Sequence, residues 1–406
     1  VVGLVGSEMC IRDWLGGAAR GCVLSIREML RHLDRLRGLP QFRDLPAPRG
    51  GEITVLIQGF GAVGAHTARL LPEVFRDDPP TVVGVSDRRG YLYCDKGLPT
   101  ERLFELWDTA AHKDRLVTLP YLEEWIGRGT FEPKITFSLR HDDLLRESAF
   151  CLVPAAPVAN YLGLEESEGS SITVDRMGPW RMVVEGANTY SPDPERKASR
   201  SRLERVVYRD RGVLIVTDYL VNAGGVIYAA HERLIPTPEH LIIPKERLGD
   251  RKAVDAWLAE HSDDFAALAE QRREAALTRL EAVIESNMKE LVDRLAADPN
   301  CLPCEAAEQI SIARISSSEQ YRTARDVMGA IATISPTATV PEVARLLVGS
   351  PSEIVAVVSE AGVLEGVITD RDVTRSVAGT ECADASASDI MTVEVIAVPP
   401  DTAILD

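Results

Sequence analysis

Short apolar runs alternate with segments of helical periodicity through the middle of the chain. The runs predict strands at 53–57, 81–85, 150–153, 182–184 and 213–216, with helical or loop segments between them. Near-continuous apolar strands that alternate with helices are typical of parallel sheets covered on both faces. The pattern therefore predicts an α/β fold built on a doubly wound, mostly parallel sheet.

Helical periodicity flanks these strands on both sides. Apolar residues recur every three or four positions over 21–36 and again over 252–295, which predicts helices with one face against a core. A further helix is predicted at 304–315. The prolines and glycines over 40–51 and the serines at 316–318 predict linkers.

A separate α+β unit is predicted after the second linker. Its elements follow the order β-α-β-β-α, and the stretch Arg325-Asp326-Val327-Met328 recurs as Ser388-Asp389-Ile390-Met391. This indicates an internal repeat of about 60 residues with a truncated second copy. The predicted elements of the first copy are 331–334, 340–347, 354–358, 366–369 and 371–377.

These patterns divide the chain into five segments. Residues 1–13 show no periodicity and resemble a translated adapter, and the chain stops just after a strand-like segment, so we expect a fragment of a longer protein. The predicted segments are a non-native leader at 1–13, a helical segment at 14–50, the sheet domain at 51–315, a first repeat at 322–385 and the start of a second at 386–406.

The charge balance excludes some partners. Asp and Glu number 62 against 45 Lys and Arg, a net charge of −17, which argues against nucleic acid or an anionic membrane as the main partner. No apolar run reaches the roughly 18 residues of a membrane span, and no basic region precedes an apolar stretch as in a signal peptide. We expect a cytoplasmic metabolic protein.

The number and spacing of the cysteines also favour a cytoplasmic protein. The seven cysteines are scattered without regular spacing, as in proteins of a reducing compartment. Cys301 and Cys304 form a single C-x-x-C pair, which cannot complete a tetrahedral zinc site. We interpret the pair as a coincidence and expect no metal.

A glycine-rich loop follows the first predicted strand. Residues 59–64 spell G-F-G-A-V-G, a helix is predicted directly after them, and Asp87 ends the next strand about 20 residues on. Gly59 would permit the tight turn, Gly61 the approach of a diphosphate, and Gly64 close packing of helix on strand. The helix N-terminus would offer N–H groups to the phosphates. The motif predicts a Rossmann-type dinucleotide site, against the alternative of a plain glycine turn.

Asp87 also bears on the choice of cofactor. Its carboxylate would accept hydrogen bonds from ribose hydroxyls and repel a 2′-phosphate, which favours NAD. Arg88 and Arg89 follow at once and would accommodate that phosphate, although an exposed turn explains them equally well. NADP is therefore not excluded.

Small and amide residues follow the later strands. The stretches are Gln58–Gly64, Val153-Pro154-Ala155-Ala156, Val184-Glu185-Gly186-Ala187-Asn188 and Asn222-Ala223-Gly224-Gly225-Val226. Over about 17–315, this series resembles the cofactor domain of the glutamate/leucine/phenylalanine/valine dehydrogenases. The resemblance implies reversible oxidative deamination of an L-amino acid to a 2-oxo acid and ammonium, in a homo-oligomer. It places Asn188 and Asn222 near the nicotinamide and Ala155 and Ala156 along the cofactor groove, whereas a cap or turn role is the alternative for each asparagine. The candidate cofactor-binding residues are Gly59, Phe60, Gly61, Ala62, Val63, Gly64, Asp87, Ala155, Ala156, Asn188 and Asn222.

The chain departs from the family pattern at several points. The family's catalytic lysine and aspartate have no counterpart here, so we expect a fragment that binds cofactor without turnover. Ala18 stands where the family usually has a threonine near the nicotinamide, and Ala229 where glutamate-specific members have a serine. The missing hydroxyl argues against strict specificity for glutamate, and the substrate stays open between glutamate and an apolar amino acid. His231 is interpreted as structural rather than as a proton carrier.

The C-terminal unit has its own motif. Gly366-Val367-Ile368-Thr369-Asp370-Arg371-Asp372 lies at a strand-to-helix junction and resembles the signature of CBS domains. The resemblance implies that Thr369 meets a phosphate and Asp372 a ribose of an adenine nucleotide. A folded module that serves only in assembly is an equal alternative.

Two other functions stay open. A non-catalytic sensor would bind cofactor in one domain and adenylate in the other. A different dehydrogenase, such as one acting on hydroxy acids, would need a catalytic His–Asp or His–Glu pair that the sequence does not offer.

Overall fold

The computed structural model divides the chain into two compact units, with the division between Ile310 and Ser311. It describes residues 16–109, 116–129, 133–158, 160–189, 191, 193–319, 329, 331–349, 354–378, 385–393, 395 and 397–398. In this part of the chain, no helix is both long enough and apolar enough to cross a membrane.

A seven-stranded sheet forms the centre of the first unit, and it confirms the predicted fold class. Across the sheet the order is β4-β3-β2-β1-β5-β8-β9, parallel from β2 to β9, with β3 and β4 antiparallel at one edge. A separate pair, β6 and β7, follows β5 in the chain. The strands are β1 Thr54–Gln58, β2 Thr81–Asp87, β3 Gly90–Tyr93, β4 Thr136–Ser138, β5 Cys151–Pro154, β6 Leu162–Gly163, β7 Ile172–Thr173, β8 Met182–Val184 and β9 Leu214–Val216.

Both faces of this sheet are buried, because successive side chains of a strand point to opposite faces. Val55 and Ile57 of β1 lie in one apolar cluster, and Leu56 between them lies in another on the opposite face. The helices of the unit are α1 Gly17–Arg31, α2 Leu33–Leu36, α3 Ala62–Phe75, α4 Thr100–Thr109, α5 Thr118–Gly127, α6 Pro194–Glu204, α7 Asp218–Val221, α8 Gly224–Leu234, α9 Arg251–Glu260 and α10 Ser262–Ala297. The division between the units falls within the next helix, α11 Pro303–Glu319.

The strand order reverses next to β1, and this reversal defines the crevice of the sheet. From β1 the chain moves outward to β2 on one side, and it later returns to β5 on the other side of β1. Ligands of open α/β sheets bind at the carboxyl ends of the strands on the two sides of such a switch point. The loops after β1 and β5 are therefore the expected place for a ligand.

A three-stranded sheet, β10-β11-β12, forms the second unit and confirms the predicted β-α-β-β-α order. Ala387 and Met391, which we assigned to the start of a second repeat, pack in or against the core of this unit. The earlier copy of the repeat, at 325–328, lies outside the described residues. The elements are β10 Ala332–Ile334, α12 Val340–Gly349, β11 Ile354–Val358, β12 Leu364–Thr369, α13 Asp370–Ala378 and α14 Ala387–Ile390.

Three helix predictions need correction. The serines at 316–318 do not form a linker, because α11 continues through them to Glu319; serine lowers helix propensity only slightly. The pattern over 252–295 is two helices rather than one, with a break at His261. The first helix begins at Gly17 and ends at Arg31, before the short α2.

Candidate cofactor-binding site

The glycine loop after β1 is built around close backbone contacts. Gly59 has φ +91°, and a Cβ there would lie 2.6 Å from the Ala156 nitrogen. A Cβ on Gly64 would lie 2.1 Å from the Gly59 carbonyl oxygen. Any larger residue at Gly59 or Gly64 would push the loop away from β5 or α3 away from β1.

The mouth of this loop is open at Gly61. A Cβ on Gly61 would meet no atom within 4 Å. Gly61 is the N-cap of α3, no side chain caps that helix, and its first turn contains no acidic residue. Uncapped N–H groups and the positive end of a helix dipole are suited to a phosphate. The loop therefore fits the diphosphate of a dinucleotide.

The loop after β5 lies directly beside the glycine loop. The Ala155 N–H donates to the Gln58 carbonyl at 2.8 Å, and Ala155 and Ala156 are half-buried. Ala62 and Val63 are half-buried as well, whereas the Phe60 side chain is 1% exposed and belongs to the core. At Phe60, therefore, only the backbone can face a ligand.

The two candidate asparagines lie side by side. The Asn222 side-chain amide donates to Asn188 Oδ1 at 2.8 Å and approaches the Gly186 carbonyl at 3.4 Å. Asn188 is exposed and Asn222 is half-buried. The loop after β8 is joined to β5, because the N–H groups of Gly186 and Ala187 donate to the Pro154 carbonyl. The loops after β1, β5 and β8 therefore meet at one edge of the sheet.

Asp87 has partners that the sequence did not indicate. Its Oδ2 accepts the N–H groups of Val117 and Thr118 at 2.8 and 2.9 Å, and its Oδ1 accepts the Thr118 hydroxyl and the Arg89 N–H, both at 2.8 Å. The residue is 8% exposed. These four bonds occupy the acceptor positions of the carboxylate. Asp87 therefore caps the start of α5. Its contact with a ribose stays a prediction.

Arg88, Arg89 and Ala18 are further residues that the sequence links to the cofactor. Arg88 and Arg89 are exposed at the turn after β2. Ala18 lies in α1, whose first turn packs against Gly224, since a Cβ on Gly224 would lie 2.0 Å from the Gly17 carbonyl oxygen. The side chains of Ala229 and His231, in α8, are outside what the structure describes.

The sequence did not indicate two polar side chains that shape this edge. The Ser86 hydroxyl accepts the Gly59 N–H at 3.1 Å and so fixes the glycine loop to the end of β2. The Glu185 side chain is fully buried although it directly follows β8. The sequence signal for Glu185 was its place in the motif, because Tyr161 and Arg200, two of its partners, lie 24 and 15 residues away.

In the second unit, Thr369 and Asp372 are brought together at the start of α13. The Thr369 hydroxyl and N–H donate to Asp372 Oδ2 at 2.7 and 2.9 Å. Asp372 therefore orders the strand-to-helix turn, and a nucleotide contact at either residue stays a prediction. Within the described residues, no group of three or more His, Cys, Asp or Glu side chains is arranged to hold a metal ion.

Comparison with protein families assigns both units. The model of the glutamate/leucine/phenylalanine/valine dehydrogenases matches residues 16–239, more than half of the chain. The chain belongs to this dehydrogenase family. The CBS-domain model matches residues 324–379. The predicted resemblances of both units are thus confirmed.

The curated relatives of this dehydrogenase-family chain are glutamate dehydrogenases. NAD-specific glutamate dehydrogenase A of Halobacterium salinarum is 31% identical over 183 residues, which are 45% of this chain and 33% of that protein. The glutamate dehydrogenase of Thermotoga maritima is 31% identical over 180 residues, 44% of this chain and 34% of that protein. The NADP-specific enzyme of Saccharolobus shibatae is 28% identical over 174 residues, 43% and 32%. The chain spans about a third of the length of these relatives.

Solved structures are also similar to parts of this chain. The hetero-hexameric glutamate dehydrogenase of Thermus thermophilus, in its Leu-bound form, matches with 18% identity and a TM-score of 0.41, covering 75% of this chain and 53% of that one. A CBS-domain protein of Agrobacterium tumefaciens matches with 28% identity and a TM-score of 0.19, covering 20% and 62%.

Proposed function

We propose that this chain is the cofactor-binding part of an NAD(P)-dependent amino-acid dehydrogenase that interconverts an L-amino acid with a 2-oxo acid and ammonium. The observation that supports this most is the meeting of the glycine loop, Ala155–Ala156 and the pair Asn188–Asn222 at one edge of the sheet. When bound there, an oxidised nicotinamide would accept a hydride from the Cα of the amino acid.

Each part of the edge would have its own task. The N–H groups at the start of α3 would hold the diphosphate, since nothing obstructs Gly61. The small side chains of Ala155 and Ala156 would leave room for a flat ring beside the backbone. Asn188 and Asn222 would exchange hydrogen bonds with the nicotinamide carboxamide, because an amide side chain supplies both donors and acceptors.

The finer properties are also proposals. NAD is the favoured cofactor, although the buried Asp87 and the exposed Arg88 and Arg89 leave NADP open, and both kinds of enzyme occur among the relatives. The substrate is glutamate or an apolar amino acid, and the protein is a homo-oligomer. An adenine nucleotide at Thr369 and Asp372 would regulate it. Because no catalytic lysine or aspartate was identified in the motifs, we propose that this chain binds cofactor without turnover.

Titration of the purified chain with NADH and with NADPH tests this function. The chain contains five tryptophans, so quenching of their fluorescence reports binding, and the melting temperature gives an independent readout. A ligand at about 100 times its Kd stabilises the folded state by about 2.7 kcal/mol. If neither nucleotide changes the fluorescence or the melting temperature at millimolar concentration, the assignment is wrong.

A further inference from the structure

A buried polar cluster lies behind the loop that presents Asn188. It consists of Tyr161, Glu185, Thr189, Arg200 and Glu204, which we call the Glu185 cluster. Both of its carboxylates are fully buried, and the Arg200 side chain, on α6, is 18% exposed. Buried charges are tolerated only when they are paired and hydrogen-bonded, so the contacts inside this cluster determine whether the loop keeps its shape.

Each oxygen of the Glu185 carboxylate has two partners. Its Oε1 lies 2.7 Å from the Arg200 Nη1 in an ion pair and accepts the Tyr161 hydroxyl at 2.8 Å. Its Oε2 receives the Arg200 Nη2 and the Thr189 hydroxyl, both at 2.9 Å. Two of these four partners are Arg200 nitrogens, one on each oxygen, and such a two-point guanidinium–carboxylate pair is strong and directional.

Arg200 also contacts the second buried carboxylate. Its Nε donates to Glu204 Oε1 at 2.7 Å, and Glu204 Oε2 accepts the N–H of Cys304 at the start of α11. Burial lowers the pKa of the guanidinium, but Glu185 and Glu204 outweigh that effect and hold the pKa well above its usual range. Arg200 is therefore a permanent cation between two carboxylates.

The cluster closes the loop that contains Asn188. Glu185 directly follows β8, and its carboxylate binds the hydroxyl of Thr189, so the two residues that flank 186–188 are tied together. The Thr189 N–H donates to Asp218 Oδ2 at 2.7 Å, which fixes the same loop to the end of β9. The position of Asn188 thus depends on the orientation of Glu185, and Arg200 sets that orientation.

We propose that Arg200 is a positioning residue for the nicotinamide end of the cofactor: its guanidinium orients Glu185, which holds the 186–188 loop so that Asn188 can reach the carboxamide. This inference rests on the proposed function. The family motif that carries Glu185 does not contain Arg200, which enters the cluster from α6.

A cavity of about 300 Å³ next to the cluster makes the proposal testable. Tyr161, Thr189 and Arg200 are among its lining residues. Water that enters from this side can solvate carboxylates that have lost their cation. We therefore expect Arg200→Gln to fold with a displaced loop, rather than to unfold.

The experiment compares NADH affinity and melting temperature in three variants and the wild type. Arg200→Gln removes the charge and the bidentate pair, and we expect the Kd for NADH to rise about tenfold at a temperature where the chain is folded. Arg200→Lys keeps the charge but cannot bridge both carboxylates, so an intermediate Kd is expected. Arg202→Gln, on the same helix with a side chain 58% exposed, is the matched control and should bind like the wild type.

Rescue by the conservative variant distinguishes positioning from a general structural defect. Tyr161 stays a neutral donor and cannot replace the missing cation, because burial, with Glu185 beside it, holds the pKa of its hydroxyl well above the usual range. Arg200→Lys restores a cation beside Glu185, so its Kd for NADH should lie between those of Arg200→Gln and the wild type. Equal losses of NADH affinity in Arg200→Lys and Arg200→Gln would contradict the positioning role.

The outcomes are separable. If the wild type binds NADH and Arg200→Gln binds it equally well, the inference is wrong while the proposed function stands. If the wild type does not bind, both fail. Should Arg200→Gln not fold, Tyr161→Phe removes one donor to Glu185 without a change in charge, and it must weaken NADH binding several-fold more than Arg202→Gln does, or the inference is overturned.

Discussion

Replacement of Gly21 by alanine should push α1 away from the segment that carries Asn222. A Cβ on Gly21 would lie 2.0 Å from the Val221 carbonyl oxygen, whereas ordinary contacts begin at 3.4 Å. The added Cβ is fixed to the backbone of α1, and the atom that it meets is a backbone carbonyl oxygen. The two segments must therefore separate by about 1.4 Å. The hydrogen bond of 2.8 Å between Asn222 and Asn188 would then exceed the usual limit of about 3.2 Å.

The two energetic effects of this substitution oppose each other. Alanine in a helix interior is favoured over glycine by about 0.5–1 kcal/mol, while overpacking a tight site costs about 1–3 kcal/mol. Contact with rigid backbone places Gly21→Ala near the upper end of that range, so we expect a net loss of about 2 kcal/mol. Gly127→Ala is the control, since Gly127 is also helical and its Cβ would meet no atom within 4 Å.

Urea unfolding followed by circular dichroism measures the stabilities, and NADH titration of the folded variants measures the effect on the asparagine pair. We expect Gly21→Ala to lose stability and NADH affinity together, and Gly127→Ala to keep or gain stability. Equal stability and equal affinity in the two variants would refute the close packing of α1 on Val221.

Two further predictions concern carboxylates with mainly internal partners. Asp87→Asn should destabilise the first unit by about 2–3 kcal/mol in urea unfolding, because an amide cannot accept all the donors that the carboxylate binds; a change of less than about 0.5 kcal/mol would contradict the capping role. AMP or ATP should raise the melting temperature of the full chain, and Asp372→Ala should abolish this shift by removing the carboxylate that Thr369 contacts; a shift that survives the substitution would place the nucleotide elsewhere.

The five strands of the parallel sheet could be predicted from the sequence because both of their faces are buried. Their apolar runs are therefore continuous, and the predicted bounds agree with the observed ones to within about two residues. The edge strands β3 and β4 were missed, since they are only four and three residues long. Short edge strands carry too little periodicity to be recognised.

The candidate site shows the same limit. The glycines and the two asparagines could be proposed as site residues because each follows a strand within a few residues. Val117 and Thr118, which bind Asp87, lie about 30 residues away along the chain, and Arg200 reaches Glu185 from α6. No local pattern encodes such contacts, because they depend on how the elements pack.

The central claim is that the open mouth of the glycine loop receives the diphosphate of a nicotinamide nucleotide, and Gly61→Asp tests it most directly. Gly61 has φ −87° and open space around its Cβ position, and aspartate is a favoured N-cap, so the variant should melt at or above the wild-type temperature. A carboxylate about 4 Å from a phosphate costs about 1–4 kcal/mol, so the Kd for NADH should rise at least about fivefold. Gly61→Asn matches its size and capping ability without the charge and should bind more tightly than Gly61→Asp. A Gly61→Asp chain that binds NADH with wild-type affinity would contradict the account.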